Sequence, residues 1–189
     1  MTKYILHGGR ATQTDRLKQE FFPEILRELS NNLNILIVLF AREPEVWNEK
    51  FEEMKKCFSL VDPGKEIDFS LARMETALFV KQIKKADVVY FNGGDSHILQ
   101  EHLAQVPDLQ ILLSGKVVAG SSAGALVFSQ YYYENDDDTF NTGLGFLPVK
   151  IICHYTEEKA DTLLKLREFG ENIQNVYSLA EGEFVIIEQ

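Results

Sequence analysis

The residues best suited to chemistry lie in one short turn, Gly120-Ser121-Ser122-Ala123-Gly124. The turn follows the apolar run Val117–Ala119 and precedes an apolar helical segment, so a strand is expected to turn sharply into a helix at Ser122. The spacing Gly-x-Ser-x-Gly is that of a nucleophile elbow, in which only glycine fits two residues before and after the serine. The following helix directs free N–H groups toward the serine, so the N–H of Ala123 is a candidate oxyanion donor. The alternative is a Gly/Ser-rich turn in which Ser121 or Ser122 only caps the helix.

A second turn of the same kind contains two adjacent glycines, Gly93 and Gly94, after the apolar run Val88–Phe91. Adjacent glycines allow positive φ angles and a close approach of the backbone to another group. The N–H of Gly94 is therefore a candidate for the second oxyanion donor. The alternative is an ordinary turn in which Asp95 or Ser96 caps the next helix, and the two interpretations are compatible.

A nucleophilic serine needs a base, and the chain has four histidines. His154 follows the apolar run Val149–Cys153, and a histidine at the end of a parallel strand can reach a nucleophile on a neighbouring strand. His7 also follows a predicted strand and could lie near the same edge of the sheet. His97 and His102 fall on the helix after the second turn, where an exposed position is expected. These positions favour His154 as the base. The alternative is that His154 is a partly buried histidine with a structural role.

The residues alone leave open which acid would orient the histidine. Glu181 lies in a turn between two apolar strands. Glu157 and Glu158 are close to His154 in sequence, but they are expected to begin the next helix and to face solvent. The segment Asp136–Asp138 is expected to be a solvated loop.

Apolar runs of strand length alternate with amphipathic helical patterns along the chain. The predicted strands are Tyr4–Leu6, Ile35–Phe40, Val88–Phe91, Val117–Ala119, Val149–Cys153, Tyr177–Leu179 and Phe184–Ile187. The predicted helices include a four-residue repeat from Leu17 to Leu29 with Pro23 inside it, a helix beginning after Pro44, and the segments Leu71–Lys85 and Lys159–Phe169. This alternation predicts an α/β fold with a mostly parallel sheet, one domain over residues 1–189, and chemistry at the carboxyl ends of the strands.

Composition argues against several classes of protein. With 189 residues, 45% of them hydrophobic and 25% charged, the chain has the balance of a globular domain. Its apolar runs are too short for a membrane span or a signal peptide, and a net charge of −10 disfavours nucleic acid and anionic membranes as partners. Two cysteines give no disulfide framework, so the cytoplasm is the expected compartment. No His/Cys cluster has the spacing of metal ligands, so neither a metal nor another cofactor is expected.

Four blocks of sequence follow one another along most of the chain: Asn92–Ser96, Gly120–Ala125, Gly143–Pro148 ahead of the histidine, and Leu179–Gly182. Together they resemble the serine peptidase family of dipeptidase E (aspartyl dipeptidase) and cyanophycinase. The resemblance implies a three-layer α/β sandwich related to class I glutamine amidotransferases. It also implies a Ser-His-Glu triad of Ser122, His154 and Glu181, with Gly94 and Ala123 as oxyanion donors. The chain order Ser–His–Glu differs from that of α/β-hydrolases.

The sequence departs from the family pattern at three places. Ser121 precedes the nucleophile where dipeptidase E has an aromatic residue, and Ala180 stands where the family has a proline before the acid. Both differences bear on substrate preference. The sequence also ends at Gln189, where the family usually continues with further strands. This third difference predicts a trimmed pocket wall or a different assembly, and a homodimer is one such assembly.

The family includes enzymes that cleave after an N-terminal aspartate, so the resemblance implies a short peptide substrate, with Asp-Xaa dipeptides as one option. An aspartyl side chain would require a cation, and Arg10 and Arg42 lie just past the ends of two predicted strands. The alternative for each is a solvent-exposed loop arginine. The expected function is peptide hydrolysis through an acyl-enzyme. A catalytically silent or regulatory binding domain of the same fold and an amidotransferase-like acyl transferase remain as alternatives.

Overall fold

The computed structural model describes residues 1–12, 15–62 and 64–189, without the side chains of residues 15–19. Its strands are β1 (Lys3–His7), β2 (Asn32–Val38), β3 (Glu66–Leu71), β4 (Val88–Phe91), β5 (Val117–Ser121), β6 (Ser129–Glu134), β7 (Thr139–Thr142), β8 (Leu147–Cys153), β9 (Val176–Leu179) and β10 (Phe184–Glu188). Its helices are α1 (Asp15–Leu26), α2 (Trp47–Val61), α3 (Thr76–Lys85), α4 (Ser96–Ala104), α5 (Leu109–Leu112), α6 (Ala123–Leu126) and α7 (Ala160–Glu168). Short 3-10 helices over Pro44–Val46 and Glu157–Lys159 precede α2 and α7. None of the helices in the described ranges combines the length and the apolar character needed to cross a membrane.

The strands form two sheets. The larger sheet has the order β10-β1-β5-β4-β2-β3, and all its neighbours are parallel except β10, which is antiparallel to β1. The smaller sheet has the order β7-β6-β8-β9, with β7 as its antiparallel member. The predicted α/β fold with mostly parallel strands is confirmed.

Both faces of the larger sheet are covered, which explains why its central strands are apolar without polar alternation. Alternate residues of β2 point to opposite faces: Ile35 and Ile37 belong to the core formed with α1 and α2, whereas Leu36 and Val38 belong to the core on the other side. That second core also contains residues of α3, α4 and the smaller sheet. Helix α7 packs on the outer side of the smaller sheet through Leu166.

Each predicted strand overlaps an observed one, but three strands and the short helix α5 were missed, and one predicted helix began too early. Strands β3, β6 and β7 were not predicted, and the helix expected over Leu71–Lys85 begins only at Thr76 because Leu71 ends β3. Strand β3 lies at the sheet edge and is only partly buried, so its apolar signal is weak. Helix α1 includes Pro23; Phe21 and Ile25 are buried, and the side chain of Leu17 lies outside the described residues.

Candidate active site

Ser122 lies at the apex of the turn between β5 and α6. Its backbone has φ 53° and ψ −117°, a strained conformation for a residue other than glycine. Hydrogen bonds hold this turn: the Ser122 N–H donates to the carbonyl of His7 at 2.9 Å, and the Ser122 carbonyl accepts from the N–H groups of Ala125 and Leu126 at 2.7 and 3.0 Å. The sharp strand-to-helix turn predicted from the sequence is therefore present.

The two glycines of the Gly-x-Ser-x-Gly pattern are required by close packing. A Cβ atom on Gly120 would lie 2.0 Å from the carbonyl oxygen of Gly124. A Cβ atom on Gly124 would lie 2.1 Å from the carbonyl oxygen of Phe91. Neither distance leaves room for a side chain, so the turn can pack against β4 and α6 only with glycine at both positions.

His154 follows the end of β8 and contacts Ser122 and Glu181 with its two ring nitrogens. Nε2 lies 3.0 Å from Oγ of Ser122, and Nδ1 lies 3.1 Å from Oε1 of Glu181. With the proton on Nδ1, the imidazole donates to Glu181 and accepts from the Ser122 hydroxyl, as a general base must. The side chains of His154 and Glu181 are 31% and 36% exposed, so the arrangement opens to solvent. Among the acids left open by the sequence, Glu181 is the one that the structure brings to His154.

The expectation that Ser122 and His154 come from neighbouring strands of one sheet is wrong. Strand β5 lies in the larger sheet and β8 in the smaller one. The end of β1 joins them, because the N–H of His154 donates to the carbonyl of Gly8 at 2.8 Å. An apolar run ending in histidine indicates a buried strand, but it does not reveal which sheet that strand joins.

The other histidines and acids considered from the sequence lie elsewhere. His97 is exposed, and its Nε2 lies 3.3 Å from a carboxylate oxygen of the Asp136–Asp138 turn. His102 is half-buried rather than exposed, because its ring packs at 5.6 Å from the ring of Phe40. Glu157 and Glu158 face solvent in the 3-10 helix before α7, as expected.

The turn after β4 packs beside Ser122 and presents a backbone N–H. A Cβ atom on Gly93 would lie 3.1 Å from Cβ of Ser122, so the two turns are in contact. The N–H of Gly93 donates to Oδ1 of Asn92 at 2.8 Å. Within the described residues the N–H groups of Gly94 and Ala123 have no acceptor. Both predicted oxyanion donors are therefore free to bind a substrate oxygen.

Asp95 shows that the capping interpretation of this turn also holds. Its Oδ1 accepts hydrogen bonds from the N–H groups of His97 and Ile98 at 2.9 and 3.0 Å, so it caps α4. Gly94 has φ +149°, and a Cβ atom there would lie 2.0 Å from the carbonyl oxygen of Ala41. Glycine is thus needed where the turn passes the end of β2.

A cavity of about 150 Å³ opens at Ser122 and His154. Its charged lining consists of Arg10, Arg42, Lys50 and Glu53. Oε2 of Glu53 accepts a hydrogen bond from Lys50 at 2.7 Å. Partial burial raises the pKa of Glu53, but hydrogen bonds from Lys50 and Thr12 outweigh that effect and leave the pKa below its ordinary value. The three cations outnumber Glu53 and Glu181, the two carboxylates that contact Lys50 and Arg10, so the site favours a negatively charged group.

The structure brings both predicted arginines to this cavity. Nε of Arg10 lies 2.9 Å from Oε1 of Glu181, the same oxygen that faces His154. Arg42 is exposed, and its carbonyl accepts a hydrogen bond from Nε1 of Trp47 at 2.8 Å. Sequence analysis missed Lys50 and Glu53, because the apolar stripe of α2 gives no sign that the polar flank of this helix borders the site.

Within the part of the chain that the structure describes, no three His, Cys, Asp or Glu side chains gather closely enough to hold a metal ion.

Comparison with known proteins agrees with this fold and identifies the family of the chain. The family model of peptidase family S51 matches residues 4–189. The crystal structure of a peptidase from an acI-B1 actinobacterium aligns with a TM-score of 0.65 and 23% identity, over 96% of this chain and 81% of that one. A candidate peptidase E from Listeria monocytogenes EGD-e aligns with a TM-score of 0.68 and 17% identity, over 99% of this chain and 94% of that one. No match was found among curated proteins. At these identities the two structures bear on the fold, whereas the family match covers nearly the whole sequence: the chain belongs to peptidase family S51 and is a serine peptidase, as the resemblance implied.

Proposed function

We propose that the protein hydrolyses short peptides through a triad of Ser122, His154 and Glu181. The observation that carries this proposal is the continuous contact from Oγ of Ser122 to Nε2 of His154 at 3.0 Å, and from Nδ1 of His154 to Oε1 of Glu181 at 3.1 Å. The strained backbone of Ser122 adds support, because such conformations concentrate at functional sites.

The proposed reaction begins with attack of Ser122 Oγ on the peptide carbonyl carbon. His154 Nε2 accepts the hydroxyl proton, and Glu181 stabilises the resulting imidazolium. The N–H groups of Gly94 and Ala123 bind the oxyanion, and one such donor contributes on the order of 10²–10³ in rate. His154 then gives its proton to the leaving amine as the carbon–nitrogen bond breaks, which leaves an acyl-enzyme. Water attacks this ester with His154 as base, and Ser122 is released with its proton restored.

The cavity favours a small substrate that carries a negative charge. Its volume of about 150 Å³ is small, and its three cations outnumber Glu53 and Glu181, the two carboxylates that contact them. We assign the side-chain carboxylate of an N-terminal aspartate to Arg42, with Arg10 as a second contact. Arg10 also holds Glu181, so its loss would affect both binding and the triad. The proposed enzyme acts in the cytoplasm as a monomer or homodimer.

A panel of dipeptides tests mechanism and substrate separately. Asp-Leu and Asn-Leu have nearly the same shape and differ in charge, so their kcat/KM ratio measures recognition of the carboxylate. We expect cleavage of Asp-Leu to fall on the order of 10⁴-fold or more in Ser122→Ala. The matched control is Ser121→Ala, which removes the neighbouring hydroxyl and should retain cleavage.

A second comparison tests the assignment of the aspartate carboxylate to Arg42. We expect Arg42→Ala to reduce the preference for Asp-Leu over Asn-Leu by roughly tenfold, since a charged hydrogen bond is lost. Arg73→Ala, an exposed arginine outside the cavity, is the control. Serine-dependent cleavage with no preference for Asp-Leu would keep the mechanism and refute the aspartate assignment. Absence of cleavage of any short peptide by the folded protein would refute the proposed function.

A further inference from the structure

One short segment at the end of β1 contacts all three members of the proposed triad. We call this segment, His7–Arg10, the bridging segment. Its His7 carbonyl accepts from the N–H of Ser122 at 2.9 Å, and its Gly8 carbonyl accepts from the N–H of His154 at 2.8 Å. Its last residue, Arg10, places Nε 2.9 Å from Oε1 of Glu181. A shift of this segment would therefore displace nucleophile, base and acid together.

The bridging segment adopts an unusual backbone conformation. Gly9 has φ 124°, and Arg10 has φ 57°, a left-handed conformation in which residues with side chains are rare. The imidazole of His154 lies directly against Gly9, because a Cβ atom there would be 2.1 Å from its Cε1 atom. Such a conformation persists only where the surroundings hold it.

The side chain of His7 forms a buried contact with the backbone of this segment. It is fully buried, at 0% exposure, and its Nδ1 accepts a hydrogen bond from the N–H of Gly9 at 3.0 Å. Because Nδ1 accepts, the ring proton must lie on Nε2. Burial and then the nearby charge of His154 lower the pKa of His7 to about 4, so the ring is neutral near pH 7. The Ser121 hydroxyl lies 3.4 Å from the same Nδ1, at a longer distance than Gly9.

The other ring nitrogen of His7 shows that histidine has an energetic cost at this position. Nε2 is buried and has no hydrogen-bond partner among the described residues, and the ring packs at 4.5 Å from the ring of Phe21. A buried polar atom without a partner is unfavourable. An apolar side chain would avoid that cost at this position but would leave the N–H of Gly9 without its acceptor.

We propose that His7 is a positioning residue, whose Nδ1 holds the N–H of Gly9 and thereby fixes the bridging segment against Ser122, His154 and Glu181. The consequence for turnover rests on the proposed function of the triad. The restraint on Gly9 does not rest on that function, and it can be measured in protein that turns over no peptide.

The test compares His7→Asn with His7→Leu, because Oδ1 of asparagine can occupy the place of Nδ1 and leucine offers no acceptor. We expect His7→Leu to lower kcat by roughly tenfold or more with KM nearly unchanged, since the reacting groups are misplaced rather than lost. His7→Asn should restore most of kcat. The control His97→Asn changes an exposed histidine and should behave as wild type. Equal loss in the asparagine and leucine variants, or full activity in a folded leucine variant, would overturn the proposal.

Two magnetic resonance measurements test the restraint without turnover. The amide hydrogen of Gly9 should exchange about tenfold faster or more in His7→Leu than in His7→Asn or wild type. Nitrogen shifts of His7 in the wild type at pH 7 should show Nδ1 without a proton, and a protonated Nδ1 would overturn the proposal even if the leucine variant fails to fold. If wild type cleaves no peptide but the Gly9 amide shows the predicted exchange pattern, the proposed function is refuted and the restraint on Gly9 by His7 stands.

Discussion

A single carboxylate oxygen of Glu181 carries two interactions at the site. Oε1 faces Nδ1 of His154 at 3.1 Å and Nε of Arg10 at 2.9 Å. A half-exposed ion pair alone holds a side chain weakly. Here the second contact comes from the side chain of Arg10, whose backbone belongs to a segment that is itself fixed against Ser122 and His154, and this contact supports Glu181 although solvent reaches it.

Replacing Glu181 by glutamine should slow peptide cleavage by about 10²-fold in kcat. The amide cannot stabilise the imidazolium and can impose the wrong tautomer on His154, but the open position makes the loss smaller than for a buried acid. Steady-state kinetics of Glu181→Gln beside Glu157→Gln, an exposed glutamate near His154 in sequence, measures the effect. Equal kcat in the two variants would exclude Glu181 from the triad.

The buried imidazole of His7 should make folding stability depend on pH. Its folded pKa of about 4 lies below the ordinary value of 6.5, so the unfolded chain binds more protons between these pH values. The contribution is fully present above pH 6.5 and is lost as the pH falls toward 4, by roughly 3 kcal/mol in all. Urea denaturation at pH 7 and pH 4.5 should show a larger loss for wild type than for His7→Asn. If wild type and His7→Asn lose the same free energy of unfolding between pH 7 and pH 4.5, His7 is not the origin of the acid sensitivity.

At the scale of elements, the elbow turn depends on contacts that only glycine permits. We expect Gly124→Ala to destabilise the protein by about 1–3 kcal/mol and to abolish cleavage, because its Cβ atom would overlap the carbonyl oxygen of Phe91. The matched control is Gly64→Ala, whose Cβ atom would meet its nearest neighbour at an ordinary 3.5 Å. Urea denaturation of both variants gives the two free energies of unfolding. A Gly124→Ala variant as stable as the control would show that the turn has room for a Cβ atom at this position.

The elements that the sequence predicts well are those with a strong local signal. The elbow at Ser122 and the buried strands β4 and β5 combine apolar runs with glycine turns, so they follow from residue type and spacing. Strand β6 carries tyrosines and polar residues, and its burial depends on packing against distant elements; β7 is mostly polar and has no buried residue, so it gives no apolar signal. The same holds for the site: Lys50 and Glu53 reach the cavity only through the path of α2, which no local pattern encodes.

At the scale of the molecule, the two sheets share one core. Tyr4 and Val38 of the larger sheet belong to the same buried cluster as Tyr132 and Ile151 of the smaller sheet. The proposed catalytic groups span the junction, since Ser122 follows the larger sheet and His154 the smaller. The site therefore depends on both sheets being folded together.

This shared core predicts a single unfolding transition for the whole chain. The only tryptophan, Trp47, begins α2 and reports on the larger sheet, whereas far-ultraviolet circular dichroism reports on both sheets. In a urea titration the two signals should change together, as in two-state unfolding. Two separate midpoints would contradict one cooperative domain and would make the sheets independent units.

The most direct test of the central claim is covalent labelling with a fluorophosphonate, followed by mass spectrometry of the labelled peptide. The reagent reacts with a serine that a base activates and needs no knowledge of the substrate. We predict one label on Ser122 in wild type and in Ser121→Ala, and none in Ser122→Ala or His154→Ala. Labelling of Ser121, or labelling that persists in folded Ser122→Ala, would contradict the assignment of Ser122 as the nucleophile.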